Sequence, residues 1–174
     1  MQLIALGSSV RLDNVGEPPA IIRQAIKQIV ARIGPITAIS RLYCTLAWPD
    51  PKQPNFVNAA IRADWPDLAP EALMQMLLDI ELEFGRQRAQ PNAPRTLDLD
   101  LVAVDDVLRQ TSFLELPHPR LHQRVFVLEP LADVASEWVH PLRNQNVSQM
   151  LGRVRQDPQF DQGSIWVLDE SSTG

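Results

Sequence analysis

The chain has 174 residues, enough for one domain with a buried core and too few for two comfortable ones. Apolar residues make up 45% and charged residues 21%, which excludes a disordered chain, and a net charge of -5 argues against a general nucleic-acid binder, which needs a basic face. Cys44 is the lone cysteine, so an internal disulfide and a thiolate metal cage are both excluded.

The first ten residues, MQLIALGSSV, are apolar but lack a basic leading region and a cleavage site, so they read as a strand rather than a signal peptide. No apolar run approaches the roughly 20 residues that span a bilayer. A cytoplasmic protein without a membrane or nucleic-acid partner, and with no obligate protein partner evident, is the expectation.

The apolar run 3–6, stopped by Gly7-Ser8-Ser9, predicts a buried strand and a turn. Pro18 and Pro19 suit a helix start, and Ile22, Ala25, Ile26, Ile29, Val30 and Ile33 then recur at helical spacing until Gly34-Pro35. Residues 36–42 follow as a strand, and a proline-rich connection leads to a strand over 56–63. Residues 70–84 form a second helix with Leu73, Leu77, Ile80, Glu81 and Phe84 near one side, ended by Gly85. A strand over 96–104 completes the order β-α-β-β-α-β, the ferredoxin-like α/β (α+β) arrangement of one sheet with helices on one face. Shorter helices over 119–135 and 147–155, and an extra edge strand over 165–168, are expected to complete one domain spanning 1–174. The tail from about 156 carries the weakest pattern.

Chemistry concentrates in three segments. In Thr96-Leu97-Asp98-Leu99-Asp100-Leu101 the alternation sends the leucines to one face and both aspartates to the other. Two residues along a strand cover roughly 6.6 Å, so the carboxylates can converge on shared cations, and hard oxygen ligands suit Mg²⁺. Two solvated aspartates on a half-exposed strand are the alternative. Gly85-Arg86-Gln87-Arg88 and Arg95 bracket the preceding loop, where guanidiniums could clamp phosphate oxygens. Arg86 and Arg88 could equally be solvated charges at a helix end. Arg95, fixed on a proline and running into the acidic strand, reads as arranged. In the third segment Pro117 and Pro119 restrict the backbone around His118, with Arg124 near; His122 reads as an exposed turn residue. A P-loop motif is absent, and Gly7-Ser8-Ser9 is too short to cradle phosphates.

Together these segments resemble the 6-hydroxymethyl-7,8-dihydropterin pyrophosphokinase family of folate biosynthesis, from residue 6 to about 151. Pro94-Arg95-Thr96-Leu97-Asp98-Leu99-Asp100 looks like its signature. Ile80-Glu81-Leu82-Glu83-Phe84-Gly85-Arg86, Leu116-Pro117-His118-Pro119-Arg120-Leu121, Arg124-Val125-Phe126 and Phe56-Val57-Asn58-Ala59-Ala60 also match. The resemblance implies ATP and the pterin alcohol as substrates, two Mg²⁺ ions on Asp98 and Asp100, and attack of the hydroxymethyl oxygen on the β-phosphorus with AMP leaving. It implies Arg86 and Arg95 as catalytic arginines, and Glu81, Arg88, Arg95, His118 and Arg124 around the nucleotide. Thr45, Phe56, Asn58 and Phe126 would form the pterin pocket, with Trp48 taking over part of its wall.

Three departures stand out. Gly7-Ser8-Ser9 replaces the family's Gly-Ser-Asn, Asn92-Ala93-Pro94 replaces Trp-Gly-Pro, and Leu46-Ala47-Trp48 replaces the usual prolines. They leave room for a non-catalytic relative that binds nucleotide or pterin. An RNA-binding module shares the element order, but carboxylates on its sheet would repel a phosphate backbone.

Overall fold

The computed structural model describes residues 1–46, 52–85, 95–157 and 164–168. Its elements run β1 (Gln2–Ser8), α1 (Pro18–Arg32), β2 (Ile36–Ile39), β3 (Tyr43–Thr45), β4 (Phe56–Ala63), α2 (Pro70–Glu83) and β5 (Asp98–Val104). There follow a hairpin of β6 (Arg109–Gln110) and β7 (Glu115–Leu116), a 3₁₀ turn (Leu121–Gln123) and α3 (Val125–Ala135). A second hairpin of β8 (Val139–His140) and β9 (Gln145–Asn146), then α4 (Val147–Gln156) and β10 (Ile165–Val167), complete the order.

The main sheet is antiparallel with the order β10-β3-β4-β1-β5, and β2 also pairs with β4. With β2 and β3 taken as one interrupted strand, this is the ferredoxin-like order, extended at one edge by β10 as the sequence leads one to expect.

Alternation builds two cores, one on each face. Ile4, Leu6, Val57, Ala59, Ile61, Leu97 and Leu99 point to one side, where α1 and α2 pack with Ile22, Ile29, Leu73 and Leu77. Each fully buried leucine or isoleucine among them contributes about 1.5–3 kcal/mol of transfer free energy. Leu3, Ala60 and Val102 point the other way, against α3 and α4 through Leu128, Leu131, Met150 and Leu151. The sheet is therefore covered on both faces, where the β-α-β-β-α-β pattern alone predicts one. The C-terminal helices supply the second layer, and α4 is started by a capping box in which Asn146 and Gln149 satisfy each other's backbone N–H.

Several boundaries differ from those expected. The strand over 36–42 divides in two, because Ser40 keeps its bonds to Ala60 while Arg41 turns outward to Asp133. The strand over 96–104 begins at Asp98, since the Arg95 carbonyl bonds to the turn after β1 and the Thr96 carbonyl to the Ser8 hydroxyl at the end of β1. The helix over 119–135 begins at Val125; Arg124 is extended at φ -115° and ψ 100°, which separates it from the 3₁₀ turn. No helix among the described residues is long and apolar enough to cross a membrane.

Candidate active site

The α3-facing side of the sheet carries the polar residues. Period-2 geometry places Asp98 and Asp100 of the edge strand β5 on the face opposite Leu97, Leu99 and Leu101. In register across the sheet, Asp98 pairs with Gly7 of β1, and Gly7 pairs with Asn58 of β4. Asn58 and Asp98 thus stand two strands apart, roughly 10 Å along one row.

Gly7 keeps the floor between them open. A Cβ there would sit 3.6 Å from Asn58 Oδ1 and 3.8 Å from the Asp98 Cβ, filling the space a flat ring or a phosphate could enter. Gly7 thus does more than close the turn expected of Gly7-Ser8-Ser9, and its position after a buried strand run is the signal for it.

The turn after it holds Arg95 in place. Ser9 is buried; its N–H donates to the Arg95 carbonyl at 3.0 Å, and its hydroxyl accepts the Arg95 N–H at 3.1 Å. Ser8 Oγ donates to the Thr96 carbonyl at 2.5 Å. The serine that stands where the family usually has asparagine therefore fastens the start of the signature segment to β1. The Arg95 guanidinium donates to Asp98 Oδ2 at 2.9 Å. The loop side of Asp98 is thereby matched with positive charge.

Asp100 meets Arg124, whose Nη1 lies 3.5 Å from its Oδ2. The same guanidinium lies over the Phe126 ring, 5.5 Å from the centroid. Burial, with Arg120 next, holds the Arg124 pKa below the ordinary guanidinium value, against the pull of Asp100 and Asp98. An anion arriving here would relieve a cation that is already desolvated.

His118 is pinned to β5 by its N–H, which donates to the Val102 carbonyl at 2.8 Å. Burial, then Arg124 and Arg120, push its ring down to about 4, with Asp98 opposing. Nδ1 accepts the Arg120 N–H at 3.2 Å, so the neutral ring carries its proton on Nε2 and can donate from there.

On the far side, Asn58 is buried and donates from Nδ2 to Thr45 Oγ1 at 3.0 Å. Phe56, two residues before Asn58 and in register with Thr45, lies on the same face. Across it, α3 brings Phe126. The four residues that the resemblance implies for a pterin pocket are therefore carried by β3, β4 and α3.

Glu81 is set apart. It is buried on α2, and its Oε1 accepts the Leu99 N–H at 2.6 Å along the free edge of β5. It touches the backbone between the two aspartates. Arg86, Arg88 and Trp48, and the replaced loop residue Asn92, lie outside the described residues.

The donor set fits a hard divalent cation. Two carboxylates share one face, each partly accessible and beside a guanidinium that could turn to phosphate, and Mg²⁺ usually takes only one or two protein carboxylates. The described residues offer no cluster of three acidic, histidine or cysteine ligands, so phosphate and water would complete the sphere.

Similarity to known proteins agrees with this geometry. The chain is 40% identical over 104 residues to the 2-amino-4-hydroxy-6-hydroxymethyldihydropteridine pyrophosphokinase of Synechocystis, covering 60% of this chain and 53% of that protein. It is 35% identical over 128 residues to the enzyme of the same name from Methylorubrum extorquens, covering 73% and 80%. A Plasmodium falciparum HPPK-DHPS crystal structure superposes with a TM-score of 0.67 at 12% identity, over 95% of this chain and 46% of that one, which speaks to the fold alone. Residues 3–136 match the 7,8-dihydro-6-hydroxymethylpterin-pyrophosphokinase family, HPPK. The chain belongs to that family of folate-biosynthesis pyrophosphokinases.

Proposed function

We propose that this pyrophosphokinase transfers the β,γ-pyrophosphoryl group of ATP to the hydroxymethyl oxygen of 6-hydroxymethyl-7,8-dihydropterin and releases AMP. The observation that carries the reading is the single row Asn58-Gly7-Asp98, in which a buried amide and a partly exposed carboxylate flank one open floor.

In this reading Asn58, oriented by Thr45, meets the polar edge of the pterin, and Phe56 and Phe126 contact its faces. Asp98 and Asp100 would hold two Mg²⁺ ions, which neutralise phosphate charge and polarise the β-phosphorus. Arg95 leaves Asp98 for the phosphates as they enter, and Arg124 makes the same exchange at Asp100. His118 donates from Nε2 to a phosphate oxygen without adding a second full charge. Arg86 and Arg88 act from the loop before β5, with Arg86 the second catalytic arginine. Glu81 serves the nucleotide side, through the β5 backbone it holds.

The attacking hydroxyl oxygen forms a bond to the β-phosphorus as the bond to the α-phosphate oxygen breaks, and the hydroxyl proton passes to solvent. Positioning and charge stabilisation suffice for such a transfer, so no dedicated base is needed. The reading needs no obligate protein partner and places the reaction in the cytoplasm.

The test is AMP release from ATP by the purified chain. Release that depends on both the pterin alcohol and Mg²⁺ is expected. A folded protein that binds ATP yet yields no AMP with that substrate overturns the reading.

A further inference from the structure

Charge is unevenly placed along this chain. Segments 116–128 and 138–156 contain all three histidines and five of the arginines but no aspartate or glutamate, in a protein whose net charge is -5. His118 and Arg124 belong to the site above, and Arg155 pairs with Glu129. Of the others, His122, Arg143 and Arg153 meet in a separate place.

They line a cleft of about 250 Å³ between the 3₁₀ turn and α4, with Gln123, Gln145, Met150 and Val154 completing its wall. Among the described residues no carboxylate lines it. Arg143 Nη2 lies 2.6 Å from His122 Nε2. A guanidinium only donates, so Nε2 accepts and the ring is neutral, with its proton on Nδ1. Burial first, then Arg143, His140 and Arg153, hold this imidazole below its ordinary pKa, in agreement with that arrangement.

Two guanidiniums facing one cleft without a counter-charge repel each other, and their forks offer paired donors suited to tetrahedral oxyanions. Two glutamine side chains add amide donors that read the same acceptors. At about 30 Å³ per water, the cleft has room for a diphosphate.

We propose that this cleft is a second anion site, separate from Asp98 and Asp100, that takes the phosphate or diphosphate group of a small molecule. It stands independently of the pyrophosphokinase reading, since it shares no side chain with that site.

The experiment titrates the full chain with inorganic pyrophosphate, and in a parallel arm with inorganic phosphate, following calorimetric heat and the His122 ring resonances by NMR. Saturable binding that moves the His122 signals is expected, and the stronger arm assigns a diphosphate or a single phosphate group. Arg143→Gln/Arg153→Gln should weaken that binding at least tenfold, while Arg95→Gln leaves the His122 response intact. Circular dichroism confirms that each variant is folded, and AMP release should be unchanged in the double variant. His122 signals that stay put at saturating pyrophosphate overturn the proposal. So does a double variant that binds like the wild type, or an equal response to sodium chloride at matched ionic strength.

Discussion

Glu81 and Leu99 are joined by a 2.6 Å hydrogen bond, in which a buried carboxylate accepts the backbone N–H of the residue between the two aspartates. Among the described residues β5 is an edge strand paired with β1 alone, so its outer backbone groups lack a strand partner there. A buried N–H without an acceptor costs about 1–3 kcal/mol, and Glu81 meets that need from α2.

Glu81→Ala should therefore lower stability by about 2–3 kcal/mol, counting the lost acceptor and the space left behind. Glu81→Gln keeps an acceptor oxygen of similar reach and should lose less than half as much. Urea unfolding of both variants measures the difference. If alanine and glutamine cost the same, the carboxyl oxygen is not what holds the strand edge.

Gly7 gives a sharper separation of fold from function. A Cβ at this position makes ordinary contacts of 3.6 and 3.8 Å, so Gly7→Ala should fold with a midpoint within a few degrees of the wild type. The added methyl stands between Asn58 and Asp98, and turnover should fall about tenfold, equivalent to about 1.4 kcal/mol of transition-state binding. Steady-state AMP release with pterin varied is the measurement. Normal turnover in Gly7→Ala would show that the floor between those two residues is not used.

Asp98 and Asp100 are open to the most direct test. Removing one charge with Asp98→Asn or Asp100→Asn takes away a cation ligand and leaves Arg95 or Arg124 with weaker company. A loss of at least a hundredfold in turnover is expected, with the circular dichroism spectrum retained. Near-normal turnover at low magnesium in either variant would sink the metal assignment.

How much of this was legible in the sequence depends on the range of the interaction. The alternation in Leu97-Asp98-Leu99-Asp100 fixes which side chains share a face without any knowledge of neighbours, and that face is where the structure puts them. The α1 and α2 helices follow likewise from 3.6-residue spacing and their flanking proline and glycine. What pattern cannot supply is pairing between distant segments. That Gly7 separates Asn58 from Asp98, that Ser9 fastens Arg95, and that Glu81 caps Leu99 all depend on register and on a helix crossing a strand edge. The covering of both sheet faces was hidden for the same reason, since Leu3, Ala60 and Val102 are too dispersed to form a run.

The histidines set a pH dependence of stability. His118 has a folded pKa of about 4, well below its ordinary 6.5, and the cause is burial first, then Arg124 and Arg120. The unfolded chain therefore binds the extra proton between those values, and stability must fall as pH drops through that window. The full contribution is present above about pH 6.5, and up to about 3 kcal/mol is lost by pH 4. His122 and His140 are lowered too and act in the same direction. Thermal unfolding at pH 7 and pH 5 should show a lower midpoint at pH 5, with a shallower difference in His118→Gln. An unaltered slope in that variant would mean that the ring is not held neutral by its surroundings.

Tyr43 and Asp133 join the two layers that carry the proposed pterin residues. The Tyr43 hydroxyl donates to Asp133 Oδ2 at 3.0 Å and accepts from Arg41 Nη2 at 2.7 Å, so β3 is tied to α3. Burial is the main cause of a tyrosine pKa raised to about 12, with the Asp133 hydrogen bond next, so the phenol stays protonated and keeps donating. β3 carries Thr45, which orients Asn58, and α3 carries Phe126. Tyr43→Phe removes both hydrogen bonds of this hydroxyl, the one donated to Asp133 and the one accepted from Arg41, and should cost about 1–2 kcal/mol of stability. Because the tie sets the spacing between Thr45 and Phe126, the same variant should raise the KM for the pterin severalfold while the KM for ATP moves little. Equal changes in both constants would show that the tie supports the fold as a whole and does not set the width of the pterin pocket.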